Sequence, residues 1–359
     1  MAGSSTSDPS LVRHFKGGHR EGITGVAFHP REEMLVTTSS DSSVVLWHYT
    51  KHERVFKYEG HTKAVHDVAW SPTGSVFATA STDQHVRVWS PKLCGKSRGV
   101  RIPISPVRSV DFDLTGKSFV TGGDDKCLKL WTLKDMVFMR SFTGHTNWVR
   151  CVRVAPYNGL IGSCADDKTV KTWDMETGQC LATFQQKTGL PKSVAWHPDT
   201  PMIAIALSHS TVKLFDVRSN ELIQYYRNHT DAVNSVAFHP NGKYMLTASD
   251  DGTMKVCDLL EGQYIYSLDT KAGAVRSVAF SKDGAYFASG GSNADLFLWK
   301  SNNLSSDDCP VKSPVVSREE NSEQSPVFSS PSPSKLGKAN TSEVRSFNKE
   351  NENFLSNND

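Results

Sequence analysis

Short runs of alternating apolar and polar residues, each closed by Gly, Pro, Asn or Asp, follow one another along most of the chain. The stretch from Ser235 to Cys257 is typical, reading SVAF, HPNG, YMLTAS, DDGT and MKVC in turn. A period of two sends successive side chains to opposite faces of a strand, and the punctuating residues supply the turns between strands. The pattern predicts short antiparallel strands, and no run approaches the ~18 apolar residues of a membrane helix.

The strands repeat as a unit. Trp47, Trp89, Trp131, Trp173 and Trp299 lie on one register of 42 residues, with Phe215 and Cys257 in the two remaining places. Val26, Val68, Val110, Val152, Val194, Val236 and Val278 fill another column in all seven units. His19, His61, His145 and His229 share a third, and Asp41, Asp83, Asp125, Asp167 and Asp251 a fourth. Each unit has room for four strands. A four-stranded sheet cannot bury both faces alone, so the units must stack, and a period of about 40 to 45 residues is that of a propeller. The expected fold is all-β, a closed seven-bladed propeller over residues 10–300. LVRHFKG, from Leu11 to Gly17, aligns with RVFKYEG before His61 apart from one added glycine, and reads as the outermost strand that the last unit lacks. It is expected to complete blade seven and cover a sheet edge. Its removal should lower the thermal midpoint of the whole ring.

Composition narrows the picture. A chain of 359 residues with 38% hydrophobic content can bury a core, which excludes collagen, a disulfide miniprotein and a fully disordered chain. From Ser301 onward Ser, Asn, Pro and charge dominate without apolar period. Residues 301–359 are therefore expected to be a disordered tail, and residues 1–9 a disordered N-terminus. The tail carries six Lys+Arg against nine Asp+Glu, leaving +5 on residues 1–300 from an overall +2. Seven cysteines without a CxxC pair are expected to be reduced and structural, and the start of the chain has no signal-peptide pattern, so a cytoplasmic location is expected. No HxxxH or HExxH spacing and no phosphate-binding glycine loop occurs, and neither metal nor cofactor is expected.

His, Ser, Asp and Trp recur together: His19, Ser39, Asp41 and Trp47, then His61, Ser81, Asp83 and Trp89, with parts of the set at Asp125 and Trp131, His145, Asp167 and Trp173, His229, Ser249 and Asp251, and Trp299. A catalytic triad occurs once and needs an exposed nucleophile. A group tied to a repeat is better read as a buried network in which Asp accepts from His, His bonds the Ser hydroxyl, and the hydroxyl meets the indole N–H. No enzymatic activity is expected. Unit five lacks the set, with Lys187, Leu207, His209 and Phe215 in its places, and is expected to be the least rigid blade.

The GH dipeptides at Gly60-His61 and Gly144-His145, the run DDKTVKTWD from Asp166 and FDVR from Phe215 resemble the beta-transducin-like WD-repeat family across residues 10–300. That resemblance implies a seven-bladed ring closed by a terminal strand. HFKGGHREGITGVAF, GHTNWVRCVRVAP and AYFASGGSNADLFLWKSN are similar, more narrowly, to the centriolar WD-repeat proteins of the Proteome of centriole protein 1 group. This implies a scaffold of the centriole or basal body that binds tubulin in microtubule triplets or neighbouring wall proteins and supports cilium assembly. The tail departs from that group's pattern, because residues 301–359 show no coiled-coil heptads.

In WD-repeat rings the third and fifth residues after the His column, and the residue before the turn Asp, face the channel entrance. Carried over, the fifth position supplies Thr24, His66, Arg108, Arg150, Lys192, Asn234 and Arg276; the third supplies Trp148, and the pre-turn position Asp124, Asp166 and Asp250. Clustered cations beside an indole suit an acidic protein segment. Alternatively, the arginines only neutralise the rim aspartates. No nucleic acid, membrane or small-molecule substrate is expected; an RNA-processing scaffold would need a basic stripe with aromatic platforms, of which only Trp148 is present. A second reading is a substrate receptor of a cullin-type ubiquitin ligase, because Phe215-Asp216-Val217-Arg218 resembles the WDxR adaptor motif with Phe for Trp. In the tail, Ser313, Ser325, Ser330 and Ser332 each precede proline as in proline-directed kinase sites, and Lys349-Glu350-Asn351 resembles a KEN degradation signal.

Overall fold

A computed structural model describes residues 8–305 except 52, 92–95, 103–104 and 228. Ser313, Ser325, Ser330 and Ser332 and the KEN-like tripeptide lie outside the described residues, as do Cys94 and Cys309.

The strands form seven antiparallel sheets of four, one per 42-residue unit. In blade one the order from the channel outward is Ile23–Phe28, Met34–Ser39, Val44–His48 and Glu53–Tyr58. Blade seven takes Val275–Phe280, Tyr286–Gly291 and Leu296–Lys300 from the C-terminal side, and its outer strand is Ser10–Phe15, antiparallel to Leu296–Lys300 with Leu11 opposite Trp299. The ring is therefore closed by the N-terminal strand. His14 locks the seam: its Nε2 bonds Asp295 at 2.7 Å and its ring stacks on Phe297 at 4.3 Å.

The core is divided among the junctions. Seven buried apolar clusters occur, and each joins two adjacent blades. Between blades one and two, Val36, Val44, Leu46 and Tyr58 meet Val65, Val68, Trp70 and Trp89. At the seam, Phe15 packs with Ile23, Trp47, Leu296 and Leu298. Burying a side chain of that size contributes about 1.5–3 kcal/mol, and only while the strand is in place. The seven column valines are all buried, which is why that position tolerates one residue type. A blade without its neighbours would expose an apolar face on each side, so sheet and ring form together.

The ring reaches past both expected ends. Ser301 and Leu304 are fully buried, a short 3-10 turn spans Asn302–Ser305, and Leu304 joins the apolar cluster between blades six and seven. Asn241 Nδ2 donates to the Leu304 carbonyl at 2.9 Å, and Asn302 Nδ2 donates to the Asp8 carbonyl. Residues 301–305, expected to open a disordered tail, belong to the ring because one leucine in a polar stretch finds a junction to fill.

Candidate functional site: the channel mouth and its supporting network

The buried network exists, with one column corrected. In blade two Trp89 Nε1–H donates to Thr79 Oγ1 at 2.9 Å, His61 Nε2 meets the same oxygen at 2.8 Å, and His61 Nδ1 meets Asp83 Oδ2 at 2.8 Å. Blade four repeats it with Trp173, Ser163, His145 and Asp167, every link at 2.8 Å. The hydroxyl is thus Thr37, Thr79, Ser163 or Thr247, two residues before the expected Ser39, Ser81 and Ser249. The reason lies in sheet geometry. Trp47 sits opposite Leu35, and its indole leans along the diagonal, so its N–H arrives at Thr37. The serines close the turn instead: Ser39 Oγ donates to the Glu21 carbonyl at 2.9 Å and accepts the Asp41 N–H at 3.1 Å.

The remaining blades keep fragments. Blade one inserts Ser43 between His19 Nδ1 and Asp41, at 2.9 and 2.6 Å. Blade six joins His229 to Thr247 and Asp251 but has Cys257 in the Trp place. In blades three and seven the indole–hydroxyl link is the part of the network formed among the described residues, Trp131 to Thr121 and Trp299 to Ser289, and Asp125 pairs with Lys129. Blade five has Ile205 in the hydroxyl column, fully buried, and Phe215 against Phe184 at 4.8 Å.

Protonation follows from burial. Desolvation lowers the His61, His145 and His229 pKa values, against the pull of their aspartates, so each ring is neutral, donates from Nδ1 and accepts at Nε2. Burial acts to raise the Asp41, Asp83, Asp167 and Asp251 carboxyls, but hydrogen bonds from the histidine, hydroxyl and backbone N–H groups outweigh it, and Asp251 ends at about 2. The His61 and His145 side chains are fully buried, and the bridging hydroxyls are engaged on both sides. No substrate can reach such a hydroxyl, and the arrangement can only hold the blade.

The channel mouth is built by a repeated irregularity. In each inner strand the pairing steps over one residue, as from Ile23↔Ser39 to Gly25↔Thr38, and the residue left out is Thr24, His66, Arg108, Arg150, Lys192, Asn234 or Arg276. A bulge re-aims its extra side chain, and here all seven line one cavity of about 500 Å³. The fifth-position residues therefore converge.

Their charges are unequally occupied. Arg108 Nε and Nη2 hold Asp124 at 2.8 Å each, and Arg150 holds Asp166 in the same two-pronged way at 2.8 and 2.5 Å. His66 bonds Thr82 at 2.6 Å and lies 3.0 Å from Arg108 Nη1; burial, and then that guanidinium, push it down to about 4, so it adds no charge. Blades five and seven have Ser208 and Ser292 in the pre-turn place. Lys192 accordingly reaches across to Asn234 at 2.8 Å and Asp250 at 3.5 Å, while exposed Arg276 forms no ion pair among the described residues. Four cations thus face three aspartates. Trp148 is 43% exposed and does not line the cavity; it stands on the rim with Arg150 over its ring at 5.4 Å.

The other end of the channel carries a group that the repeat columns had not marked. The inner-strand column Ala27, Ala69, Asp111, Arg153, Ala195, Ala237 and Ala279 is broken in blades three and four. Arg153 grips Asp67 with two nitrogens at 2.8 and 3.1 Å, and burial pushes the Asp111 carboxyl up to about 6. The signal in the sequence was two charged residues in a column of alanine. His29, His197 and His239 form a further missed set, each donating from Nε2 to the turn carbonyl of the next blade at 3.0, 2.8 and 3.1 Å.

Known proteins fit this geometry. Residues 9–48 and 52–90 match the family model described as "WD domain, G-beta repeat". Residues 92–294, more than half of the chain, match the β-propeller model described as "Nucleolar protein 10-like, N-terminal domain". The chain belongs to the WD-repeat β-propeller family. Within that family, the second match places residues 92–294 with the Nucleolar protein 10-like propellers. Among curated relatives, the WD-repeat chain is 44% identical over 55 residues to POC1 centriolar protein homolog B of Xenopus laevis, which covers 15% of this chain and 12% of that protein. It is 41% identical over 51 residues to POC1 centriolar protein homolog of Drosophila melanogaster, covering 14% and 13%. These matches span about an eighth of the relatives' length.

Proposed function

We propose that this WD-repeat propeller is a scaffold of the centriole or basal body that holds an acidic segment of a protein partner, such as tubulin or a centriolar wall protein, at its channel mouth. The observation that carries the reading is the convergence of seven bulge residues on one cavity with cations in excess of carboxylates. A concave mouth focuses that small excess. The relatives named as centriolar supply the setting.

The test has two parts. A fluorescent fusion followed through the cell cycle should mark centrioles; concentration in the nucleolus would favour the role suggested by the name of the family model over residues 92–294. Purified chain carrying Arg150→Glu and Lys192→Glu should lose most binding to microtubules or isolated centrioles at low salt. Undiminished binding would remove the mouth from the reading.

A further inference from the structure

We infer that the groove at the seam between blades seven and one is a second ligand site, one that takes a phosphorylated side chain. It lies on the outside of the ring, apart from the channel. Arg13 and Lys16 from the closing segment and Arg54 from the outer strand of blade one border a cavity of about 360 Å³, backed by Phe15 and Trp47. Among the described residues none of the three cations forms an ion pair or a side-chain hydrogen bond, and no acid lines the cavity. His14, also at the groove, is already committed to Asp295.

The cavity lies at a junction one residue longer than its counterparts. Where the strands ending at Tyr58 and Phe142 reach the His column through two residues, Glu59-Gly60 and Thr143-Gly144, this junction has three, Lys16-Gly17-Gly18. A Cβ on Gly18 would fall 2.3 Å from the Trp47 ring, so the backbone lies directly against the indole; Gly17 has φ of 71° and open space around it. The added residue carries the loop outward. Lys16 stands where the next junction has Glu59, so an acid that would have offset the arginines is replaced by a third cation.

Three cations with no acid lining the same cavity repel one another. A single carboxylate would leave most of that repulsion in place. A phosphate monoester carries about −1.5 to −2 charges and three acceptor oxygens, and two arginines with a lysine match both the charge and the acceptors. The same chain supplies one such source, because Ser313-Pro314 follows the last described residue by eight positions; a partner's phosphoserine is the other.

Full-length protein would be titrated with a labelled peptide of residues 308–318 phosphorylated on Ser313, its unphosphorylated twin, and a phosphoserine peptide of unrelated sequence. The Ser313 phosphopeptide should bind at least about tenfold tighter than its twin, which is 1.4 kcal/mol. That preference should vanish in Arg13→Gln/Arg54→Gln and persist in Lys192→Gln. Equal binding of the unrelated phosphopeptide supports the site with a ligand supplied in trans; preference for the Ser313 sequence supports the tail as source. The inference is overturned if both twins bind alike, if neither binds, or if the double variant keeps the preference. Because both arginines are exposed, the variant should keep the wild-type melting temperature, and a failure to fold would be replaced by charge reversal at Lys16 alone.

Discussion

Blades four and five occupy neighbouring places in the ring, share the same four-strand order, and are held by different chemistry. Blade four has the complete chain of Trp173, Ser163, His145 and Asp167, buried and satisfied at every link. Blade five has Ile205 and Phe215 in place of the hydroxyl and the indole, and fills the space with apolar contact. Blade five lacks the whole set, and blades three, six and seven keep only those members that still have a partner. Deleting one member from a complete network would instead leave a buried donor or acceptor unpaired, which costs more than an absent one.

The largest separation between the two should come from removing the central aromatic ring. Trp173→Ala empties a fully buried site and takes the indole donor from Ser163 Oγ, with an expected cost of about 3–5 kcal/mol. Phe215→Ala removes a ring that is only partly buried and touches no polar partner, at about 1–3 kcal/mol. Denaturant unfolding of the two variants measures the difference. Equal costs would mean that the network adds nothing to packing.

A smaller and more pointed test exchanges single hydroxyls. Ser163→Ala leaves both the Trp173 N–H and His145 Nε2 without a partner, and should cost about 1–3 kcal/mol although it deletes one oxygen. Ile205→Ser in blade five installs a hydroxyl with no indole or imidazole to meet, and should cost about as much or more. If Ile205→Ser were neutral, blade five would be loose, as its missing network first suggests, and not tightly packed by other means.

The contrast also shows what a sequence can convey. The ring, its seven blades and its closure by Leu11 to Gly17 follow from the 42-residue columns, because every blade repeats the same pairing. The columns do not say which column touches which. Ser39 and Thr37 recur with the same period, and only the diagonal lean of Trp47 decides that the threonine meets the indole. The Asp67–Arg153 pair was hidden for a related reason: its partners come from blades two and four and meet across the inner end of blade three. Arg150 and Asp166 were legible as partners, since both belong to one blade. The groove at Gly17-Gly18 was visible only as an added glycine, because a cavity is a property of what the backbone steps around.

Acid should weaken the two blades unequally. The folded pKa values of His61, His145 and His229 lie below the ordinary 6.5. As pH falls from about 6.5 toward those values the unfolded chain binds more protons than the folded one, and stability declines. The carboxylates extend the loss below 3.8, with Asp251 holding out to about 2. Asp111 works the other way, since a pKa raised to about 6 makes its contribution largest in acid and lost as pH rises past 6. With His66, held at about 4, and His239, also lowered by burial, five histidines stand against one raised carboxyl and give net acid destabilisation. Hydrogen exchange at pH 7.5 and 5 should show protection falling further in the strands of blades two, four and six than in blade five.

The smallest effect expected distinguishes the two blades at the mouth. Arg150 is clamped by Asp166 within its own blade, so Arg150→Gln releases an aspartate into the cavity and both repels an acidic ligand and loosens the rim by about 0.2–1 kcal/mol, the range of a partly exposed pair. Lys192 has Ser208 in place of an acid at its own blade's pre-turn position and is held at 3.5 Å by a neighbour's Asp250. Lys192→Gln should therefore weaken binding of an acidic peptide such as oligoglutamate by a few-fold, with no change in melting temperature, and the loss should fade as salt rises past the ~8 Å Debye length of physiological ionic strength. A stability loss in Lys192→Gln equal to that in Arg150→Gln would show that its long contact to Asp250 is structural, and that blade five is tied into the rim as firmly as blade four.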